Sequence, residues 1–243
     1  KIKECRDKAL ELFRRFILSP ENSWVDNSIN FKNIILVVDP ANGSLTGIAK
    51  KFFGQAGFGK IFEVNGKLNG DVNLFSGVAD LEGRNRITAD EVKSPAGFFH
   101  RHKALKKIFW IGRKNKKSFL KTKMRVVGAI FDADGDRFFM LEYDPFKDLL
   151  WVLGGDETAI LQAHYLVTRF PKEYKNSLYI NTVESDLNAA MAAKKMGLKP
   201  QLTAVGDKWI LAKIFLKQLE KKSKDSDFSE KKRRVFNREM KRL

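Results

Sequence analysis

The 243-residue sequence predicts an α/β protein made of two three-layer α/β/α domains with mixed sheets. Short apolar runs typical of buried strands alternate with segments that repeat their apolar residues at helical spacing, which is the pattern of α/β folds. This alternation occurs twice, and residues 148–153 separate the two series. We therefore predict a first domain over residues 1–150 and a second over residues 151–243.

Each element of the first domain has a local signal. The first helix ends before Ser19-Pro20, the first strand leads into an Asn-Gly turn at 42–43, and a loop rich in Gly and Asn follows over 65–83. The predicted helices are one over residues 1–18 and one that follows the Asn-Gly turn and continues to about residue 55. The predicted strands cover residues 33–39, 61–64, 126–131 and 138–143.

The second domain repeats the alternation. Gly154-Gly155-Asp156 is typical of a helix start, and Gly197 of a helix end. The predicted elements are helices over 157–168 and 186–196, strands over 178–183 and 200–204, and a helix from about 209, with Trp209 expected in the core.

The formal charge of +17 comes from two segments. Residues 93–125 contain twelve Lys or Arg and no acidic residue, and residues 221–243 contain ten basic and four acidic residues. The rest of the chain therefore carries only −1 (17 − 12 − 6). We interpret 93–125 as an insertion whose aromatic side chains dock on the domain while its lysines face solvent, and 221–243 as a solvated tail. This interpretation disfavours a nucleic-acid partner.

Composition also favours a cytoplasmic protein. Cys5 is the only cysteine, so an intrachain disulfide is excluded and a reducing compartment is favoured. No apolar run reaches the roughly 20 residues that span a bilayer, and the basic N-terminal segment lacks a signal-peptide core. We expect no membrane partner.

Residues 128–137 read Gly-Ala-Ile-Phe-Asp-Ala-Asp-Gly-Asp-Arg and predict a metal and phosphate site in one loop. Asp132, Asp134 and Asp136 alternate after an apolar strand, so their oxygens can converge on one hard cation. Arg137 offers a planar fork to phosphate oxygens. An EF-hand is excluded because Arg137 replaces its sixth-position glycine and Tyr143 replaces its final glutamate.

Four segments together resemble the α-D-phosphohexomutase family, in the family's own order. They are Val-Val-Asp-Pro-Ala-Asn-Gly at 37–43, the aspartate loop, Gly155-Asp156, and Thr-Ala-Val-Gly-Asp-Lys at 203–208. The resemblance covers the family's second domain and most of its third. It implies that the phosphoserine, the sugar-hydroxyl loop and the final phosphate clamp lie in flanking domains that this chain lacks.

The resemblance also implies roles for individual residues. Asp132, Asp134 and Asp136 would hold Mg²⁺ and Arg137 would contact phosphate. Gly206, Asp207 and Lys208 would form a loop facing a hexose phosphate. The expected function is a part of a magnesium-dependent mutase that moves phosphate between the 1- and 6-positions through that phosphoserine, and the chain alone is expected to be inactive.

Two alternatives remain open. A haloacid-dehalogenase-type phosphatase would use Asp132 as nucleophile and Asp134 as proton shuttle. That fold normally opens with its Asp-x-Asp strand and places a carboxylate soon after its late Gly-Asp pair, but here a βαβ unit comes first and residues 208–211 contain no acid. The other alternative is a non-catalytic relative that acts as a basic binding module.

Overall fold

A computed structural model of the chain describes residues 5–19 and 29–223. The chain divides into two compact units between Thr158 and Ala159. Most of the predicted basic tail, from residue 224 onward, lies outside the described residues, as do residues 1–4 and 20–28. Among the described helices, none combines the length and the apolar character needed to cross a membrane.

A six-stranded mixed sheet forms the centre of the first unit, which confirms the predicted α/β class. Its strands are β1 (Ile34–Asp39), β2 (Lys60–Glu63), β3 (Arg86–Thr88), β4 (Arg125–Phe131), β5 (Phe138–Asp144) and β6 (Leu149–Leu153), in the order β2-β1-β4-β5-β6-β3. The first three in this order run parallel, and each later pairing is antiparallel.

Helices cover both faces of this sheet. They are α1 (Arg6–Leu18), α2 (Ile48–Gln55), α3 (Ala89–Lys93), α4 (Lys103–Lys114) and α5 (Lys116–Lys121). Successive side chains of a strand point to opposite faces, so Ile35 and Val37 join the large apolar cluster that contains α4. Leu36 and Val38 join a smaller cluster with Ala49 of α2. The first unit is therefore a three-layer α/β/α structure.

The structure adds two strands that the sequence did not predict. Residues 148–153, expected to separate the domains, mostly form β6, which pairs with both β5 and β3. Leu150 and Val152 of β6 are buried in the large cluster. Because β6 lies inside the sheet, the first unit continues to Thr158; the assignment of 1–150 and 151–243 to particular family domains remains a prediction.

The second unit contains two parallel strands, β7 (Leu178–Thr182) and β8 (Lys199–Thr203). Its helices are α6 (Gly155–Arg169), which begins in the first unit, α7 (Pro171–Tyr174), α8 (Leu187–Lys195) and α9 (Asp207–Ser223). Asp186 caps α8 by accepting a hydrogen bond from the Asn188 amide at 2.8 Å. The unit's two described strands pair in parallel, from Leu178 opposite Lys199 to Thr182 opposite Thr203.

Candidate metal centre

The candidate site lies in the loops that follow two adjacent strands, β1 and β4. β1 and β4 are parallel neighbours, with Asp39 opposite Ile130 at their carboxyl ends. The loop after β1 and the aspartate loop after β4, residues 132–137, therefore leave the sheet at the same edge. Carboxyl ends of parallel strands are the usual location of ligand sites in open α/β sheets.

The three aspartates of the loop converge as predicted. Asp132, Asp134 and Asp136 each offer a carboxylate oxygen within 4.8 Å of the others, with Asp132 buried and the other two exposed. The Asp132 carboxylate accepts hydrogen bonds from the amides of Gly135 and Arg137, both at 3.1 Å. Gly135 has φ of 84°, which an L side chain rarely adopts. Three converging carboxylates are a donor set that fits Mg²⁺.

The pKa values of Asp132 and Asp136 are shifted in opposite directions. Burial alone would raise the pKa of Asp132, but hydrogen bonds from Arg137 and Asp136 lower it to about 2, so this group stays ionised. The hydrogen bond to Asp132 and the negative charge of Asp134 raise the pKa of Asp136 above its ordinary value. The crowded negative charge is what a bound cation would neutralise.

Arg137 lies at the exit of the loop and joins two acidic residues. Its Nε donates to Asp132 Oδ2 at 2.8 Å, and its Nη1 donates to Glu82. The side chains of Arg137 and Glu82 are both about half exposed, at 53% and 54%. The guanidinium is thus oriented while its outer edge remains open to a ligand. Glu82 lies 55 positions before Arg137, and no motif in the sequence pointed to it.

The Asn-Gly turn after β1 packs directly against the aspartate loop. A Cβ atom at Gly43 would lie 2.0 Å from the carbonyl oxygen of Ala133, so only glycine fits this approach. Ser44 donates its amide to the Ala133 carbonyl at 2.7 Å and its hydroxyl to the Asp134 carbonyl at 2.8 Å. The Asn-Gly turn is evident in the sequence, but no motif there indicates the role of Ser44.

A buried carboxylate holds that turn in place. Asp39 is fully buried and accepts hydrogen bonds from the Ala41 amide and the Asn65 side chain, both at 2.9 Å, and from the Gly77 amide at 3.4 Å. Ala41 has φ of 54°, a left-handed conformation that is uncommon for alanine. Asp39 therefore stabilises strained backbone two residues before Gly43.

The predicted substrate loop lies in the second unit, between β8 and α9. Gly206 has φ of 111°, and its carbonyl accepts a hydrogen bond from the Trp209 amide at 3.0 Å. Lys208 Nζ lies 5.3 Å from the centre of the Trp209 ring. Trp209 is 47% exposed, so its expected core position was wrong, because it lies in the first turn of α9 on a solvent-accessible face.

The structure thus brings Asp132, Asp134, Asp136 and Arg137 into one site within the first unit. Gly206, Asp207 and Lys208 form a separate loop in the second unit. The assignment of catalytic, metal and substrate roles to these residues remains a prediction.

Comparisons with known proteins agree with the resemblance found in the sequence. Residues 154–220 match the family model for phosphoglucomutase/phosphomannomutase, alpha/beta/alpha domain III. A phosphoglucosamine mutase of Caldicellulosiruptor saccharolyticus is 24% identical over 189 residues, which cover 77% of this chain and 33% of the relative. The chain thus spans about a third of that relative's length.

Solved structures share the fold. A phosphoglucomutase/phosphomannomutase family protein from Burkholderia thailandensis superposes with a TM-score of 0.50 and 18% identity over 85% of this chain and 35% of that one. The N-acetylphosphoglucosamine mutase of Aspergillus fumigatus, in complex with GlcNAc-6P and magnesium, superposes with a TM-score of 0.50 and 18% sequence identity. This match covers 78% of this chain and 34% of that one. Residues 154–220 thus match a domain model of this family, and the longer alignment with a phosphoglucosamine mutase agrees with the four motifs in the family's order.

Proposed function

We propose that this chain is part of a magnesium-dependent phosphohexomutase, a cytoplasmic enzyme that transfers phosphate between the 1- and 6-positions of a hexose phosphate. The observation that carries the proposal is the convergence of three carboxylates beside an oriented guanidinium at the carboxyl edge of the sheet. Relatives named phosphoglucosamine mutase favour an amino-sugar phosphate as the substrate. The phosphoserine of this reaction would lie outside the chain.

Within the aspartate loop, the three carboxylates would bind the metal and the arginine would bind the phosphoryl group. Asp132, Asp134 and Asp136 would hold Mg²⁺, which when bound polarises the phosphoryl group in transfer. Arg137 would bind the phosphoryl oxygens, since its guanidinium is held in place by Asp132 and Glu82. This arrangement stabilises negative charge in a fixed geometry, which is the main requirement of phosphoryl transfer.

The loop at 206–208 would bind the sugar phosphate. Lys208 is the proposed contact to a sugar or phosphate oxygen, and the left-handed Gly206 sets the entry to α9 behind it. The exposed indole of Trp209 adds an apolar surface next to that lysine. Apolar faces of sugar rings stack on such side chains, so Trp209 joins Gly206, Asp207 and Lys208 as a candidate substrate contact.

The test uses the chain as it is. Metal binding is measured by electron paramagnetic resonance with Mn²⁺ in competition with Mg²⁺, and glucose 1,6-bisphosphate binding by ³¹P NMR with and without metal. We expect one competitive metal site, metal-dependent binding of the bisphosphate, and no release of inorganic phosphate. Phosphate release sensitive to beryllium fluoride would instead establish the phosphatase, and the absence of metal binding would leave the non-catalytic binding module.

A further inference from the structure

The surface of α4 carries positive charge that the proposed mutase site does not use. Of the twelve basic residues in 93–125, Arg113 pairs with Asp148 and Arg125 pairs with Glu142. The other ten form no salt bridge with any residue in the described part of the chain. A surface on which most cations have no ion-pair partner raises the local concentration of polyanions.

Two aromatic side chains of this segment remain exposed among the cations. Phe99, Phe109 and Phe119 are buried, as sequence analysis expected for the aromatics of the insertion. Trp110 is nevertheless 53% exposed and Phe98 is 66% exposed. The ammonium groups of Lys107 and Lys114 lie 4.6 and 5.0 Å from the centre of the Trp110 ring. The indole is therefore accessible to solvent, with two ammonium groups over its ring.

A groove of about 660 Å³ runs beside this indole. Its lining includes four basic side chains and one exposed aromatic side chain: Lys93, Lys106, Arg113, Lys114 and Trp110. Its volume lies within the range of small-molecule pockets, so it can accept one nucleotide unit. None of the lining residues belongs to the aspartate loop. We call these five residues together with Lys107 the α4 groove.

We propose that the α4 groove binds single-stranded nucleic acid. An unpaired base that stacks on Trp110 would displace the ammonium groups of Lys107 and Lys114 from the ring, and these flexible side chains would then contact its phosphate. From Lys103 to Lys114 the cations of α4 extend over about 16 Å of helix axis, which is long enough to follow several nucleotides. Stacking platforms lined by cations are the general means by which proteins bind single strands without sequence preference.

A membrane is the weaker candidate for this surface. An amphipathic helix binds a lipid surface by inserting its apolar face. The apolar face of α4 is instead buried against the sheet of the first unit, through Ala104, Leu105, Ile108, Phe109 and Ile111. What remains outside is a basic groove with a single flat aromatic ring, which suits a base and its phosphates.

The experiment measures fluorescence anisotropy of labelled oligo(dT) and oligo(U), about 15 nucleotides long, with the full chain. We expect affinity to fall as salt rises, and Trp110→Ala to weaken binding roughly five- to hundredfold while Trp110→Phe retains most of it. The double variant Lys107→Gln/Lys114→Gln should reduce the slope of log K against log salt by about 1.4, because each lost phosphate contact contributes about 0.7.

A charge-matched control separates the groove from the general positive charge of the chain. Lys60→Gln/Lys172→Gln removes two exposed lysines elsewhere and should bind like the native protein, with circular dichroism showing that each variant is folded. The proposal is overturned by absent binding, by binding that Trp110→Ala leaves unchanged, or by retention on phosphatidylserine vesicles without affinity for the oligonucleotides.

Discussion

Arg137 and Asp132 form an ion pair in which the guanidinium Nε donates to the buried carboxylate at 2.8 Å. Because Asp132 is also a candidate metal ligand, this bond connects the proposed cation site to the proposed phosphate site. Glu82 accepts a hydrogen bond from Nη1 of the same guanidinium. Neither Arg137 nor Glu82 is one of the three candidate metal ligands, so changes at these two residues should affect phosphate binding more than metal binding.

The variant Arg137→Lys tests whether phosphate binding depends on the guanidinium more than metal binding does. Lysine keeps the charge but lacks the planar fork, so it cannot contact Asp132, Glu82 and phosphate together. We expect the affinity for glucose 1,6-bisphosphate in the presence of metal to fall about tenfold or more, with the Mn²⁺ affinity changed much less. Calorimetric titration of each ligand measures both. Glu82→Gln leaves the hydrogen bond between Arg137 and Asp132 intact, so it should lower the bisphosphate affinity less than Arg137→Lys does. If Arg137→Lys lowered the Mn²⁺ and bisphosphate affinities equally, Arg137 would not be a phosphate contact distinct from the metal site.

Asp134→Asn and Asp136→Asn test the metal site. Each replaces a charged ligand by a neutral amide, so we expect Mg²⁺ affinity to fall at least about tenfold. A bound metal raises the melting temperature by an amount that grows with the logarithm of its concentration over its dissociation constant, so at a Mg²⁺ concentration near the native dissociation constant both variants should lose most of that increase. Glu184→Gln, an exposed carboxylate in the second unit, is the control and should keep it. If either aspartate variant kept the metal-dependent rise in melting temperature, that aspartate would not be a metal ligand.

The raised pKa of Asp136 predicts how metal binding depends on pH. Its carboxyl group holds a proton more strongly than usual because of the hydrogen bond to Asp132 and the charge of Asp134. A proton and a cation compete for this group, so Mg²⁺ affinity should be constant well above the raised pKa and decrease as pH falls through it. Asp132, with a pKa of about 2, should not contribute in the same interval. Titrations of the native chain and of Asp136→Asn over pH should show that only the native chain has this decrease.

The strand signals in the sequence were sufficient for the centre of the first sheet and for the aspartate loop. β1 and β4 are continuous apolar runs, because parallel inner strands are buried on both faces. β3 has only three residues and therefore no distinctive pattern. β6 is an apolar run of five residues, but it lies within 148–153, where the sequence predicts a domain boundary. Their positions depend on pairing with β5 and with each other, which is tertiary information.

The same distinction holds within the site. Asp132, Asp134, Asp136 and Arg137 are adjacent in sequence, so their types and spacing predicted a shared site. Glu82 reaches Arg137 from 55 positions away. Contacts of this kind are determined by how loops meet at the sheet edge, and no local pattern encodes them.

The buried Asp39 predicts a stability effect. In Asp39→Ala the amide of Ala41 and the side chain of Asn65 lose their buried acceptor, which costs about 3 kcal/mol of unfolding free energy. Burial raises the pKa of Asp39, so part of the charge penalty is relieved in the variant, but the buried donors remain unpaired. Urea unfolding measures the loss. The control is Asp71→Ala, which removes a carboxylate that accepts an exposed hydrogen bond from the Asn69 side chain. It should change stability by less than about 1 kcal/mol, and equal losses in the two variants would contradict the role of Asp39.

Gly43→Ala tests whether the turn after β1 positions the metal ligands. The added methyl would lie 2.0 Å from the Ala133 carbonyl oxygen, and that contact is backbone, so the aspartate loop itself must shift. We expect Mg²⁺ affinity to fall by about ten- to a hundredfold, as when supporting contacts of a metal site are lost. Gly59→Ala, an exposed position where a Cβ meets nothing within 4 Å, should leave the affinity unchanged. Because Asp132, Asp134 and Asp136 are all intact in Gly43→Ala, a fall in affinity in the folded variant identifies loop position as its cause, and an unchanged affinity would mean that the loop accommodates the methyl without moving its carboxylates.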